Sequence, residues 1–201
     1  PVDVADTSGE LSIKDPWILA NSLFAPGYIG GFSAIKHWDF SEQIFETTTF
    51  LTTKKISERQ PIIGNARFLL KTIAMYKVFG TKMIWIDNIR IAVSDPSKTL
   101  IDLFDDPSLV GGMRIVQDVF LEYQKSKYFD IDKLIAYAEQ MRNKTIFKRM
   151  GFLFEKIGLN QYIEEYDLTK RISKGYSTFD PLMKNNKIIR KWNLKIPEIW
   201  K

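Results

Sequence analysis

The chain has 201 residues, 45% hydrophobic and 26% charged, which sets the expectation of one globular domain able to bury a core without covalent staples. It contains no cysteine and a single histidine, His37. Disulfide frameworks, thiolate zinc sites, iron–sulfur clusters, thiol nucleophiles and His-pair metal sites are therefore excluded. The net charge of +5 is uneven, because residues 142–201 carry 14 basic and 6 acidic side chains, a local +8 against −3 upstream.

A basic carboxy-terminal third fits either a footprint for a polyanion such as nucleic acid or a solvated lysine-rich surface. No apolar run approaches the roughly 18 residues of a membrane span, and residues 1–15 are polar and acidic rather than a signal peptide, so no membrane contact and a cytoplasmic location are expected. A chain that begins with Pro1 rather than Met is expected to be a processed protein or a piece of a longer one.

Four Asp-Pro dipeptides punctuate the sequence, at 15–16, 95–96, 106–107 and 180–181. Asp accepts from the unpaired amides of a first helical turn, and Pro at the next position lacks an amide that would be unpaired anyway. Asp15-Pro16 followed by Trp17, Ile18, Ala20 and Leu23 therefore predicts a helix start. A short helix carrying Phe32, Ile35 and Trp38 is expected after Gly30-Gly31. Gln43 to Thr53, rich in β-branched and aromatic residues, reads as a strand, and Arg67 to Phe79 as a second extended run. Met83–Ile86 and Ile89–Val93 flank Asp87-Asn88, two residues that tolerate positive φ, and so predict a tight hairpin.

Helical spacing takes over from Asp95. Apolar stripes run through Leu100, Ile101, Leu103 and Phe104; through Ile115, Val116, Val119, Phe120 and Tyr123 after Gly111-Gly112; through Ile131, Leu134, Ile135, Ala138 and Met141 behind a capping Asp130; and through Ile146, Phe147, Met150, Leu153, Phe154 and Ile157 before Gly158. A strand is expected near Gly175–Phe179, and Trp192, Leu194, Ile196, Ile199 and Trp200 read as a tail docked on the body. The fold class is α+β, expected as an antiparallel β meander packed against a cluster of α-helices.

Searches for chemistry return little. The sequence lacks a P-loop, a GxGxxG, a GxSxG and an HExxH, and no lysine has Asp or Glu two positions before it, which counts against a restriction-type nuclease. Asp130-Ile131-Asp132 matches the spacing of a nucleotidyltransferase metal pair, but it opens a helix, and a cap is the simpler reading. His37 reads as a packed or capping residue, and Asp105-Asp106 as a cap or a solvated loop. Neither a cofactor nor a metal is expected, and no catalytic residue is assigned. Basic side chains fall into three groups. Arg142, Lys144, Lys148 and Arg149 surround the start of the last long helix, opposite its apolar stripe. Lys170, Arg171 and Lys174 form the second group. Lys184, Lys187, Arg190, Lys191 and Lys195 form the third, with Trp192 among them. The first and third groups supply the candidate nucleic-acid residues Arg142, Lys144, Lys148, Arg149, Lys187, Arg190 and Lys191.

Several adjoining features resemble one family. Residues 86–112 read IDNIRIAVSDPSKTLIDLFDDPSLVGG, with Asp95-Pro96-x-Lys98-Thr99-Leu100-Ile101-Asp102 and Pro107-x-Leu109-x-Gly111-Gly112. Arg149-Met150-Gly151-Phe152-Leu153-Phe154-Glu155 and Gly158 follow. Gly31-x-Ser33-Ala34 with Trp38 upstream, and Tyr176 to Asp180-Pro181 then Arg190-x-Trp192-Asn193-Leu194 downstream, complete a pattern over nearly the whole chain. It resembles the carboxy-terminal domain of the AbiEi antitoxins, transcriptional regulators of phage-defence toxin–antitoxin pairs. The resemblance implies an antitoxin whose partner is a nucleotidyltransferase toxin, neutralised without need of a stable complex. It also implies an amino-terminal winged helix that represses its own promoter, which is not expected within residues 1–201. Asp95, Pro96, Lys98, Thr99, Asp102, Gly111 and Gly112 are the recurring positions, and each has a structural reading: Asp95 caps, Pro96 starts the helix, Lys98, Thr99 and Asp102 lock it onto the sheet, and the glycines permit the turn.

Overall fold

The structure is a computed structural model that describes residues 14–43 and 45–200. The fold is α+β, with helices and mixed sheets in two compact units that divide between Thr99 and Leu100.

The first unit runs through α1 (Pro16–Phe24), β1 (Gly27–Ile29), α2 (Gly31–His37), β2 (Thr47–Thr52), β3 (Ile62–Ile63), β4 (Ala66–Thr72), β5 (Thr81–Ile86) and β6 (Ile89–Ser94). α1 starts as its dipeptide dictates: Asp15 Oδ1 accepts from the amides of Trp17 at 2.7 Å and Ile18 at 3.2 Å, behind Pro16 at the first position. The hairpin also forms in the expected register, Ile86 opposite Ile89 through Thr81 opposite Ser94. Asp87 and Asn88 both take positive φ, 45° and 62°, the turn whose twist matches that of the flanking strands. The extended run after Arg67 is shorter than expected, since the strand ends at Thr72 and Met75–Lys77 form a single 3-10 turn.

The sheet order is β3-β4-β2-β1-β6-β5, and this corrects the expectation of a meander. β1 runs parallel to β6, with Ile29 opposite Val93, and β2 runs parallel to β4 over six residues, so antiparallel pairs alternate with parallel ones. The reason lies in β1. Three residues are too short to show a period-two pattern, yet Gly-Tyr-Ile occupies the middle of the sheet and separates β2 from the hairpin. Gly27 suits the close approach there, because a Cβ at that position would lie 2.1 Å from the Leu51 carbonyl oxygen. Ile18 and Ala20 of α1 and Ala34 of α2 pack with Ile29, Phe50, Phe68, Leu70, Ile91 and Val93 as one buried cluster.

The second unit continues α3 (Pro96–Asp105) through a 3-10 turn at Pro107–Val110 into α4 (Met113–Lys125), α5 (Ile131–Gln140), α6 (Thr145–Lys156), α7 (Asn160–Glu165) and α8 (Leu168–Arg171). β7 (Ser177–Thr178), β8 (Lys187–Ile189) and β9 (Leu194–Ile196) form a small sheet in the order β7-β9-β8. The periodic stripes place α3 to α6 as expected, and Phe104, Phe120 and Phe154 meet in the core with ring centroids 6.3 and 5.1 Å apart. The tail is a strand pair rather than a loose appendage. Trp192, Leu194 and Ile196 are fully buried, whereas Ile199 is 68% exposed and does not dock.

Two glycines are dictated by what lies against them. At Gly112, φ is +112° and a Cβ would fall 2.7 Å from Asp180 Oδ2. At Gly151, in the middle of α6, a Cβ would fall 2.1 Å from Cζ3 of the Trp192 ring, which occupies the space a side chain would need. A Gly151→Ala substitution is therefore expected to lower stability by about 1–3 kcal/mol through overpacking, despite alanine's better helix propensity. Gly175→Ala, where no atom lies within 4 Å, should change it by under about 0.5 kcal/mol. Urea midpoints of the two variants against the parent check both.

Candidate functional site

The positions that carry the family resemblance form a framework. Asp95 Oδ1 accepts from the Lys98 amide at 2.9 Å and so caps α3, whose first residue is Pro96. Thr99 Oγ1 lies 2.7 Å from Ser94 Oγ and 2.9 Å from the Asp95 carbonyl oxygen, which ties the first helical turn to the end of β6. Lys98 is fully buried: its ammonium donates to Tyr28 Oη on β1 at 2.7 Å and lies 4.9 Å from the ring centroids of Tyr28 and Phe79. Asp102 is buried one turn further along α3.

Gly111 and Gly112, at φ +85° and +112°, turn the chain into α4. The cap of α4 comes from 67 residues away, since Asp180 Oδ2 accepts from the Met113 amide at 2.8 Å while Oδ1 accepts from the Leu182 amide at 2.9 Å. Sequence reading singled out Asp180-Pro181 as a local cap. The carboxylate in fact serves both its own turn and a distant helix, a role that no short spacing encodes.

The candidate nucleic-acid residues separate into two kinds. Lys148 and Arg149 do not sit opposite an apolar stripe, and their assignment to a phosphate-binding surface is corrected. Every residue from Ile146 to Phe154 is buried, so this part of α6 has no solvent face. The Arg149 guanidinium donates to four carbonyl oxygens, those of Phe104 at 2.7 Å, Asp105 at 2.9 Å, Thr178 at 2.9 Å and Phe179 at 3.0 Å. Burial lowers its pKa to about 10, with Asp105, Asp106 and Asp180 opposing the shift, so it stays charged at neutral pH. Lys148 donates to the Gly175 carbonyl oxygen and to Ser177 Oγ. Both cations hold the chain together.

Arg142, Lys144, Arg190 and Lys191 are exposed, and Lys187 is half-buried. Lys191 pairs with Glu155 at 2.7 Å and Lys187 with Glu198 at 3.3 Å. Trp192 offers no stacking face within the third basic group, because its ring is buried and its Nε1 donates to Glu155 Oε2 at 2.6 Å. In the second group, Lys170 pairs with Asp167 and Arg171 with Glu139.

Asp130 caps α5 by accepting from the Lys133 amide at 2.9 Å, and Asp132 accepts from Tyr166 Oη at 2.6 Å, which pushes the phenol up to about 12. Among the described residues no three His, Asp or Glu side chains stand close enough to hold a metal ion. Nor is any described helix long and apolar enough to cross a membrane. His37 stands between Trp17 and Trp38, with ring centroids at 5.8 and 4.6 Å. It forms part of a feature that sequence reading missed, a cavity of about 480 Å³ in the first unit walled by Trp17, Phe32, Lys36, His37, Phe45 and Glu46.

No family model and no curated protein matches this sequence. Among solved structures it is similar to the crystal structure of RV2827C protein from Mycobacterium tuberculosis, with a TM-score of 0.58 and 13% identity. The likeness covers 94% of this chain and 70% of that one, and at such identity it establishes a shared fold alone.

Arg149→Ala is expected to cost about 3–5 kcal/mol, because it strands four carbonyl groups in the interior. Arg149→Lys should recover little of this, lacking the planar fork. Arg142→Ala and Arg190→Ala should each cost under about 0.5 kcal/mol, and chemical denaturation of the four variants tests the contrast. A second expectation concerns pH. Desolvation, only partly offset by Asp39, lowers the His37 pKa below 6.5, so the unfolded state takes up the proton first. Stability should fall as pH drops through 6.5 and level off once the folded imidazole also protonates. Thermal melts across this range should show the decline weakened in His37→Gln.

Proposed function

We propose that this chain is an antitoxin domain of a bacterial phage-defence toxin–antitoxin pair, akin to the AbiEi antitoxins, acting in the cytoplasm to antagonise a nucleotidyltransferase toxin. The observation that supports this reading is where the resemblance falls in three dimensions. Asp95 to Thr99 tie the first turn of α3 to β1 and β6, Gly112 faces the Asp180 cap, and Gly151 receives Trp192. These residues are scattered through the sequence, yet each occupies a framework position with a strict steric or hydrogen-bonding demand. Family likeness concentrated at such positions is the kind that accompanies a common fold.

The same geometry supports antagonism rather than chemistry as the domain's business. The polar groups of the motif are committed to the interior: Asp95 to a helix amide, Lys98 to Tyr28, Arg149 to four carbonyls. What faces solvent is the basic set Arg142, Lys144, Arg190 and Lys191. A second reading, a nucleic-acid-binding module using its basic carboxy-terminal third for DNA or RNA contact, is favoured by that same set together with the local +8 charge.

The gene next to this one is expected to encode a nucleotidyltransferase that arrests growth, and co-expression of this chain is expected to restore growth. The triple variant Arg142→Glu, Lys144→Glu, Arg190→Glu should lose rescue while keeping the parent's melting temperature. Full rescue by that variant would remove the basic surface from the mechanism. A binding constant for duplex DNA that falls steeply with salt, without rescue of growth, would favour the second reading.

A further inference from the structure

We propose that the cavity of the first unit is a binding site for a guanine nucleotide, that is, a guanine ring carrying a phosphate. The inference does not depend on the antitoxin reading. The cavity lies between the start of α1, the outer side of α2, the approach to β2 and the edge strand β5, and its volume of about 480 Å³ falls within the roughly 300–1,000 Å³ of small-molecule sites. Its walls are rings. Trp17 and His37 stand 5.8 Å apart, tilted by 57°, and Phe32 and Phe45 lie nearly parallel at 3.5 Å. Ile84 and Ile86, two apart on β5, add an aliphatic surface. Such walls select a flat, polarisable ring.

The polar groups narrow the class. Lys36, Glu46, Trp17 and His37 all line the cavity, and no hydrogen bond to a described residue engages the polar ends of their side chains. Asp15, by contrast, is occupied with the cap of α1, and Ser33 Oγ accepts from the Thr49 amide at 2.9 Å. A carboxylate only accepts, so Glu46 matches a ring edge that presents two adjacent donors. Guanine offers that edge, N1–H beside the 2-amino group. Adenine and cytosine place an acceptor nitrogen beside their single amine, and uracil flanks one N–H with two carbonyl oxygens. Lys36 supplies a point charge for one anionic group attached to the ring, and phosphate is the anion that a nucleotide carries. His37, whose pKa partial burial lowers against the opposing charge of Asp39, can in its neutral form donate from one nitrogen and accept at the other.

Free nucleotide and guanine within a single strand share this chemistry, and titration calorimetry on the purified full chain separates them. GMP, guanosine, CMP and a short guanine-containing single strand are the probes. GMP is expected to bind at least tenfold more tightly than CMP and several-fold more tightly than guanosine. Lys36 and Glu46 are exposed, so their substitution leaves the fold intact. Lys36→Ala should bring GMP down to the affinity of guanosine without changing guanosine itself, and Glu46→Gln should erase most of the preference over CMP. Binding of GMP above the single strand assigns free nucleotide as the source, and the reverse assigns the strand; either order keeps the site. Equal affinity for GMP and CMP, or GMP binding that both variants leave unchanged, overturns the proposal.

Discussion

The second unit depends on one buried cation. Arg149 receives the last carbonyls of α3, the residues least able to find partners within their own helix, and holds them against the carbonyls of Thr178 and Phe179. A guanidinium is the one side chain that presents five donors in a fixed plane, so a single residue can satisfy four acceptors from two separate segments. Lys148, its neighbour, reaches Gly175 and Ser177 on the same segment. Asp180, next along, then caps α4. Three helices, α3, α4 and α6, are thus joined to β7 and its flanks through charged side chains that reach the end of α3 and the start of α4, and not through apolar contact alone.

This arrangement explains why the positive charge of the carboxy-terminal third is a poor guide to its surface. In sequence, Lys148 and Arg149 resemble Lys144 and Arg142, and an apolar stripe at Ile146, Phe147, Met150, Leu153 and Phe154 leaves room for a solvated side opposite. What decides the matter is that α6 is surrounded, and encirclement is a tertiary property that a helical period does not record. The lysine and arginine interiors are compatible with burial only because carbonyl dipoles replace water at the charged ends. The surface charge that remains is carried by fewer residues, and Lys187 and Lys191 are already engaged with Glu198 and Glu155.

Local chemistry was the legible part. Asp-Pro at 15–16 and 95–96, the Asp87-Asn88 turn and the helical spacing of α3, α4 and α5 all follow from interactions within a few residues. Strand order was not legible, because the three-residue β1 carries no pattern of its own and its partners are separated from it by α2 and by the whole of the hairpin. The cavity of the first unit was hidden for a related reason. Trp17, Lys36 and Ile84 come from three different elements and Glu46 from the loop before β2, and only His37 stood out, as the solitary histidine. Residues that each look ordinary become a candidate site by converging.

The cap on α4 has a consequence for how the chain is made. Met113 leaves the ribosome 67 residues ahead of the Asp180 that satisfies its amide, and the central strand of the small sheet, β9, is drawn from residues 194–196. α4 therefore emerges with a bare amino terminus, and β7 and β8 emerge with no strand between them. The first unit, ending at Thr99, has all its strands synthesised before any of this occurs. Synthesis thus delivers every strand of the first unit before the second unit's sheet can form, so a ribosome that stops short of residue 194 releases a chain in which β7 and β8 lack the strand between them and the segment after Trp192 is missing.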